Sequence, residues 1–146
     1  MAGEAVEPPS LDQFMDTCRE SLAFLGQYGF EECPIAQHRA RNPFQLWFCA
    51  GDRLIIVEGE GWGTSASIHL EHRSGVRLSE IYMVPEAERP GRKMPKKRRK
   101  KQPTQLEQIR DAAERVHVFA QDFLRDDLDR FFKLAAPLPT WLQQQR

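Results

Sequence analysis

The sequence predicts an α+β domain with one N-terminal helix, an antiparallel sheet of four or five strands, and two C-terminal helices packed on one face of that sheet. Three observations predict this fold class. Apolar residues recur at helical spacing after residue 10, short alternating runs rich in β-branched and aromatic residues fill about 31–84, and helical spacing returns after residue 104. A length of 146 residues, 40% of them hydrophobic, suits a single domain with one core.

The first helix is predicted over about 10–27. Ser10 followed by Gln13 matches a capping box, in which a hydroxyl and an amide side chain satisfy free N–H groups at a helix start. Gly26 and Gly29 supply the stop. The apolar positions at helical spacing are Leu11, Phe14, Met15, Cys18, Leu22 and Leu25. The polar, proline-rich residues 1–9 are predicted to be a disordered lead, so that the folded domain covers 10–146.

The strands follow in the middle of the chain. "FQLWFCA" and "RLIIVEG" are joined by Gly51-Asp52, which suits a tight hairpin because glycine accepts positive φ. "TSASIHLEH" alternates and turns at Ser74-Gly75 into "VRLSEIYMV". A weaker strand is predicted near 33–37. Because the alternation leaves one face partly polar, the other face is expected to pack on the helices.

The C-terminal helices are predicted at about 104–125 and 128–135. Thr104 and Glu107 repeat the capping-box signature. The second helix carries its apolar residues in steps of three and four, at Leu106, Ile109, Ala113, Val116, Ala120 and Phe123. The third helix is expected to end at Pro137.

A basic run separates the sheet from the second helix. Residues 89–101 hold nine of the 21 Lys and Arg residues and no Asp or Glu, which leaves 12 basic and 21 acidic residues elsewhere, a formal charge of −9. The surrounding segment, about 85–103, is rich in proline and poor in apolar residues. We therefore predict a flexible basic loop on an acidic body.

Three interpretations of this run stay open. It has the composition of a phosphate-binding segment, which predicts salt-sensitive contact with nucleic acid. "PKKRRKK" also resembles a nuclear localisation signal, which would carry meaning in a eukaryotic source. The third interpretation is a solvated loop that balances the acidic body. The residues predicted to bind nucleic acid are Lys96, Lys97, Arg98, Arg99, Lys100 and Lys101.

An acidic cluster lies at the junction of the two C-terminal helices. Its members, predicted to bind a basic protein partner, are Asp122, Asp126, Asp127 and Asp129. The same residues also suit helix starts, where carboxylates interact favourably with the helix dipole.

The sequence carries no constellation that predicts catalysis, and we expect a non-enzymatic protein without a metal or cofactor. His69 and His72 are three residues apart on a strand and so point to opposite faces, which disfavours a shared metal ion. The glycines of "EGEGWGTS" lack the Gly-Lys-Ser/Thr ending of a phosphate-binding loop, and no G-x-S-x-G motif is present.

Localisation is predicted to be cytoplasmic, or nuclear if the source is eukaryotic. No run of about 18 apolar residues is present and the N-terminus lacks the features of a signal peptide, so no membrane partner is expected. The cysteines, three in number and without C-x-x-C spacing, are predicted to be reduced, mostly buried residues.

The order of a helix, "FLGQYGF", strands including "FQLWFCAGDRLIIVEGEGWG", and "IRDAAERVHVFAQDFLRDDLDRFFKLA" resembles small uncharacterised bacterial proteins grouped with the immunity proteins of polymorphic toxin systems. The resemblance spans most of 11–136, and the basic insertion departs from it. It implies a protein that binds and blocks a protein partner and has no activity of its own. We therefore expect an immunity-like binding protein, with an accessory protein of nucleic acid or ribonucleoprotein as the alternative.

Overall fold

The computed structural model describes residues 8–34, 42–60, 63–89 and 103–140. The fold is α+β, with one open antiparallel sheet whose six strands lie in sequence order. The strands are β1 (Glu31–Cys33), β2 (Gln45–Ala50), β3 (Arg53–Glu60), β4 (Ser65–His72), β5 (Val76–Ser79) and β6 (Ala136–Pro137). The helices are α1 (Leu11–Ser21), α2 (Gln105–Phe119), α3 (Gln121–Leu124) and α4 (Asp129–Leu134).

Both predicted hairpins are present. Ala50 pairs with Arg53, so that Gly51 and Asp52 alone form the β2–β3 turn, and Gly51 has the positive φ of 60° that this tight turn requires. The β4–β5 turn brings His72 opposite Val76. These turns set the register in which alternate residues of each strand face the helices.

The strand count differs from the prediction of four or five. The sixth strand is a two-residue segment after α4 that pairs with β5, with Pro137 opposite Val76. A two-residue strand leaves no alternation to detect, and its pairing depends on the path of the chain through three helices. The predicted strand near 33–37 is represented by β1, which ends at Cys33, and residues 35–37 lie outside the described ranges.

The helix starts agree with the prediction but the helix ends do not. Both capping boxes are formed, by Ser10 with Gln13 and by Thr104 with Glu107. α1 ends at Ser21 and continues as a 3-10 turn over Ala23–Tyr28, whereas the prediction carried the helix to about 27.

The helix predicted over 104–125 is divided in two. α2 ends at Phe119, Ala120 has φ −113° and ψ 28°, and α3 follows. The Gln121 side-chain amide donates to the His117 carbonyl at this break, which satisfies one of the orphan acceptors of the α2 C-terminus. Residues 103–140 thus contain α2, α3 and α4, where two C-terminal helices were predicted.

Two predicted mobile segments are only partly described. Pro8 and Pro9, at the end of the predicted disordered lead, lie against Gly63. Glu86–Glu88, at the start of the predicted flexible loop, form a 3-10 turn. Residues 1–7 and 90–102 lie outside the described ranges.

The main core lies between one face of the sheet and the helices. α1 and α2 lie side by side over this face, and α4 contacts β5 at its edge. Burying each large apolar side chain here contributes about 1.5–3 kcal/mol. The largest fully buried apolar residues are Phe14, Phe123, Phe131, Leu22, Leu25, Ile55, Ile68, Leu70, Met83, Ile109 and Leu124. The strand alternation places a smaller apolar cluster, Trp47, Leu54 and Ile56, on the opposite face.

Substitution of Gly59 with alanine is expected to lower the free energy of unfolding by about 1–3 kcal/mol, because the core at this point has no room for a methyl group. A Cβ at Gly59 would lie 2.7 Å from Gln105 Nε2 and 2.9 Å from Phe14 Cε2. Urea denaturation measures the effect. Gly26→Ala is the matched control, since a Cβ there meets no atom within 4 Å. Equal stabilities for the two variants would contradict this account of the packing at Gly59.

Candidate functional site

The basic run predicted to bind nucleic acid is described at its first residue alone. Arg89 Nε donates to the Val84 carbonyl at 3.1 Å, and its guanidinium lies 5.0 Å from the centre of the Tyr82 ring. Arg89 is therefore packed against the folded domain. Lys96, Lys97, Arg98, Arg99, Lys100 and Lys101 lie outside the described residues, so their role stays a prediction.

Among the four aspartates of the predicted acidic cluster, Asp122 is held by an arginine of the same region. Arg130 Nε and Nη2 donate to the two carboxylate oxygens of Asp122 at 3.0 and 2.8 Å. Burial acts to raise the pKa of Asp122, but the hydrogen bonds from Arg130 and the Phe123 backbone, with the Arg130 charge, outweigh it and lower the pKa. Arg130 also donates to the carbonyls of Met83 and Phe119. This pair joins α3 to α4.

Asp126 occupies the turn that follows α3, in a left-handed conformation with φ 68°. The Asp126 N–H donates to the Phe123 carbonyl and the Asp127 N–H donates to the Asp122 carbonyl, which is the hydrogen-bond pattern of a Schellman motif. Aspartate tolerates the left-handed region better than most residues with a Cβ. The turn is thus closed by its own backbone and holds the Asp126 carboxylate outward, 68% exposed.

Arg53 fixes this turn to the sheet. Its Nη1 donates to the Phe123 carbonyl at 3.0 Å and to the Leu124 carbonyl at 2.6 Å, and its Nε lies 3.5 Å from Asp126 Oδ1. Its guanidinium also lies 4.8 Å from the centre of the Phe30 ring. A cation at the C-terminus of a helix satisfies exposed carbonyls and interacts favourably with the helix dipole.

Asp127 and Asp129 are exposed at the start of α4. The Asp129 backbone N–H donates to Asp127 Oδ1 at 3.4 Å, so the Asp127 side chain lies at the start of α4. Among the described residues, neither carboxylate forms a salt bridge. Asp126, Asp127 and Asp129 are thus exposed within four consecutive residues, whereas the Asp122 carboxylate is engaged with Arg130.

A cleft of about 390 Å³ separates the β2–β3 turn from the turn after α3. An aspartate from each turn lines it, Asp52 from the first and Asp126 from the second. Tyr28 lines it as well, and its hydroxyl donates to Gln121 Oε1 at 3.2 Å. The full set of lining residues is Tyr28, Gly29, Ala50, Gly51, Asp52, Arg53, His72 and Asp126.

An aromatic side chain lies next to this cleft. His72 is one of the residues that line the cleft, and its ring meets the Phe132 ring edge-on, with 5.0 Å between ring centres. Phe132 is 45% exposed, so an apolar surface of α4 continues from the polar cleft. Aromatic and acidic groups beside one another suit a cationic side chain with a long aliphatic stem, because the stem can contact the ring while the charge meets the carboxylate.

A serine, a histidine and a glutamate meet on the opposite face of the sheet. Ser67 Oγ lies 3.1 Å from His69 Nε2, and the same nitrogen lies 3.7 Å from Glu58 Oε1. A catalytic triad requires the two partners to contact different ring nitrogens, so that one nitrogen accepts the hydroxyl proton while the other is oriented by the acid. This arrangement therefore has the geometry of a polar surface network.

The two histidines of the H-x-x-H pattern lie on opposite faces of β4, as their spacing predicted. His69 contacts Glu58 and Ser67, whereas His72 contacts Phe132 and Ser74. Within the described ranges, no three His, Cys, Asp or Glu side chains are grouped as metal ligands would be. The helices of those ranges also lack the length and apolar character needed to cross a bilayer.

Sequence reasoning found Asp126 but missed Asp52, Arg53 and Tyr28. The Gly51-Asp52 turn was evident from its residues, so the position of Asp52 at a turn could be predicted. Its proximity to Asp126 depends on the packing of α3 against the end of the sheet, which links residues more than 70 positions apart. Local patterns carry no signal for that contact.

Comparisons of the chain with protein-family models, with curated proteins and with solved structures found no match.

Proposed function

We propose that this domain is a non-enzymatic, immunity-like protein that neutralises a protein partner by binding a basic segment of it at the acidic cleft. The observation that carries the proposal is that two separate turns each contribute an aspartate to one cleft. Asp52 and Asp126 line it, and Asp127 and Asp129 lie beside Asp126 in the chain. We call Asp52, Asp126, Asp127 and Asp129 together the acidic surface.

The charges of the acidic surface are available to a partner. Arg53 Nε lies 3.5 Å from Asp126 Oδ1 and neutralises part of the charge of that carboxylate. No cation of the described residues forms a salt bridge with Asp52, Asp127 or Asp129. The acidic balance of the chain outside 89–101 adds a long-range field of the same sign, which raises the association rate with a basic partner.

The shape of the site supports a protein partner over a small molecule. A cleft of about 390 Å³ lies at the lower end of the volumes that hold drug-sized ligands and accommodates one or two side chains. The Schellman turn and the Arg53 hydrogen bonds fix the backbone that carries Asp126 before binding, so little backbone entropy is lost there when a partner docks. The resemblance to immunity proteins points to the same kind of partner.

Neutralising the acidic surface is expected to weaken partner binding by about 10- to 100-fold, because electrostatic complementarity sets both the association rate and the register of such an interface. The variant replaces Asp52, Asp126, Asp127 and Asp129 with asparagine. Asparagine also tolerates the left-handed conformation at position 126. Asp122 is left unchanged, since its carboxylate holds Arg130. The measurement is affinity for a single, stoichiometric protein captured from the source organism, at low and moderate salt.

The matched control removes the same number of charges from exposed positions on α1 and α2, by amide substitution of Asp16, Glu20, Asp111 and Glu114. It is expected to bind the partner with nearly the affinity of the wild type. Equal losses in both variants would assign binding to the overall charge and reject the cleft as the site. Capture that disappears after nuclease treatment would reject a protein partner.

Nucleic-acid binding through 89–101 is the alternative, and it is favoured by the nine basic residues of that segment. It predicts that replacing Lys96, Lys97, Arg98, Arg99, Lys100 and Lys101 with serine abolishes retention on nucleic acid and flattens its dependence on salt. The variant of the acidic surface should then retain nucleic acid at least as well as the wild type.

A further inference from the structure

Two cysteines lie in diagonal positions on the first two strands at one edge of the sheet. Cys33 is opposite Trp47 in the β1–β2 register, and Cys49 is two residues further along β2, so both cysteines project from the same face. Both pack against the small cluster of Trp47, Leu54 and Ile56. Burial, together with the Cys49 thiol, raises the pKa of Cys33, which is consistent with two neighbouring thiols. Two thiols on the same face of neighbouring strands are the reactants of a disulfide.

We propose that Cys33 and Cys49 are a redox-active pair that closes to an intramolecular disulfide in the presence of an oxidant of the disulfide or peroxide class. With oxidised glutathione, the thiolate of one cysteine attacks a glutathione sulfur and releases one glutathione thiolate. The second cysteine, as its thiolate, then attacks the mixed disulfide and releases the other. The two cysteines lose two electrons and two protons in total, and one oxidised glutathione becomes two reduced molecules.

The position of β1 makes this closure feasible and gives it a consequence. β1 is a three-residue strand at the open edge of the sheet, where a small shift of the backbone meets least resistance. The disulfide would convert a strand held by a short hydrogen-bonded ladder into one joined covalently to β2. Glu32 of the same strand pairs with Arg19 on α1 at 2.9 Å, so the link would also restrain the contact of the edge with the helix layer.

The third cysteine is an internal reference. Cys18 is fully buried in the main core on α1, among the helices, whereas Cys33 and Cys49 are partly exposed on the opposite face. Burial raises the pKa of both Cys18 and Cys33 to about 12, so thiolate is scarce at neutral pH and the oxidation is best run at mildly alkaline pH. An oxidant that reaches the edge pair is not expected to reach Cys18.

The test is to incubate the reduced full chain with oxidised glutathione and to record its intact mass, its peptide map and its thermal midpoint. We expect a mass lower by two hydrogen atoms, a cross-linked peptide that joins Cys33 to Cys49, and a midpoint higher by on the order of 10 °C, because the bond closes the loop 34–48 in the unfolded chain. Dithiothreitol should reverse all three changes.

Cys33→Ser and Cys49→Ser are the control variants, and each should keep the thermal midpoint of its reduced form after the same treatment. The proposal would be overturned by any of three results: an unchanged mass, a product that stops at the mixed disulfide with glutathione, or a cross-link that includes Cys18. A cross-link between Cys33 and Cys49 that lowers the midpoint would overturn the stabilising role of the bond.

Discussion

Replacement of Arg115 with leucine is expected to lower the free energy of unfolding by about 3–5 kcal/mol at about pH 8, because it leaves a buried carboxylate without its partner. Glu80 is only 4% exposed. Arg115 Nε donates to both carboxylate oxygens of Glu80 at 3.1 Å, and Arg115 Nη2 donates to Glu80 Oε1 at 2.7 Å. The pair joins α2 to the 3-10 turn Glu80–Met83 after β5, and urea denaturation measures its loss.

The cost of this substitution is expected to shrink as the pH falls to about 5. Burial raises the pKa of Glu80 above its ordinary value of 4.5, while the hydrogen bonds and charge of Arg115, and the charge of His69, act to lower it. A carboxyl group whose pKa is raised by folding favours the folded state at low pH, and that contribution is lost as the pH rises through the folded pKa. Without Arg115 the pKa rises further, so the variant should regain stability when Glu80 is protonated.

Two further variants separate the buried pair from other effects. Arg110→Leu removes an exposed cation from the same helix and is expected to change stability by less than about 0.5 kcal/mol. The double substitution of Glu80 and Arg115 with leucine should recover much of the stability, because no charge is then buried alone. Two outcomes would show that Glu80 is not an unpaired anion in the Arg115→Leu variant. One is a loss of unfolding free energy no larger than that of Arg110→Leu, and the other is a loss that is the same at both pH values.

Local side-chain chemistry made the helix starts predictable. Ser10 with Gln13 and Thr104 with Glu107 each satisfy backbone groups within one turn, so the signal lies entirely in four consecutive residues. The ends were not predictable in the same way. Leu25 and Phe123 continue the apolar spacing and are buried, yet they lie in the 3-10 turn and in α3, because burial does not require an unbroken α-helix.

The sheet and the site show the same division between local and distant information. The β2–β3 hairpin followed from two turn residues and the strands beside them. β6 and the cleft did not, since both arise where α3 and α4 return the chain to the sheet. The four aspartates of the acidic cluster were apparent from the sequence. Which of them is engaged in a salt bridge was not, because the contact between Arg130 and Asp122 depends on how α4 packs beside α3.

Replacement of Arg53 with leucine is expected to lower the free energy of unfolding by about 2–4 kcal/mol, because two carbonyls at the end of α3 lose a charged donor. Arg53 is the contact through which the sheet holds the turn of Asp126, with bonds to the Phe123 and Leu124 carbonyls. Leucine retains the first carbons of the side chain but loses the guanidinium, which also lies over the Phe30 ring, so the loss reports mainly on the guanidinium. Urea denaturation gives the magnitude.

The same substitution separates the position of the carboxylates from their charge. Removing Arg53 makes the acidic surface more negative, so electrostatics alone predicts tighter binding of a basic partner. If the geometry of the turn is what matters, binding weakens in spite of that change, because Asp126 is no longer held against the cleft. Arg125→Leu removes an exposed cation beside the turn and measures the purely electrostatic effect. Weaker binding for Arg53→Leu alone is the expected result, and tighter binding for both variants would mean that the site needs charge without a fixed turn.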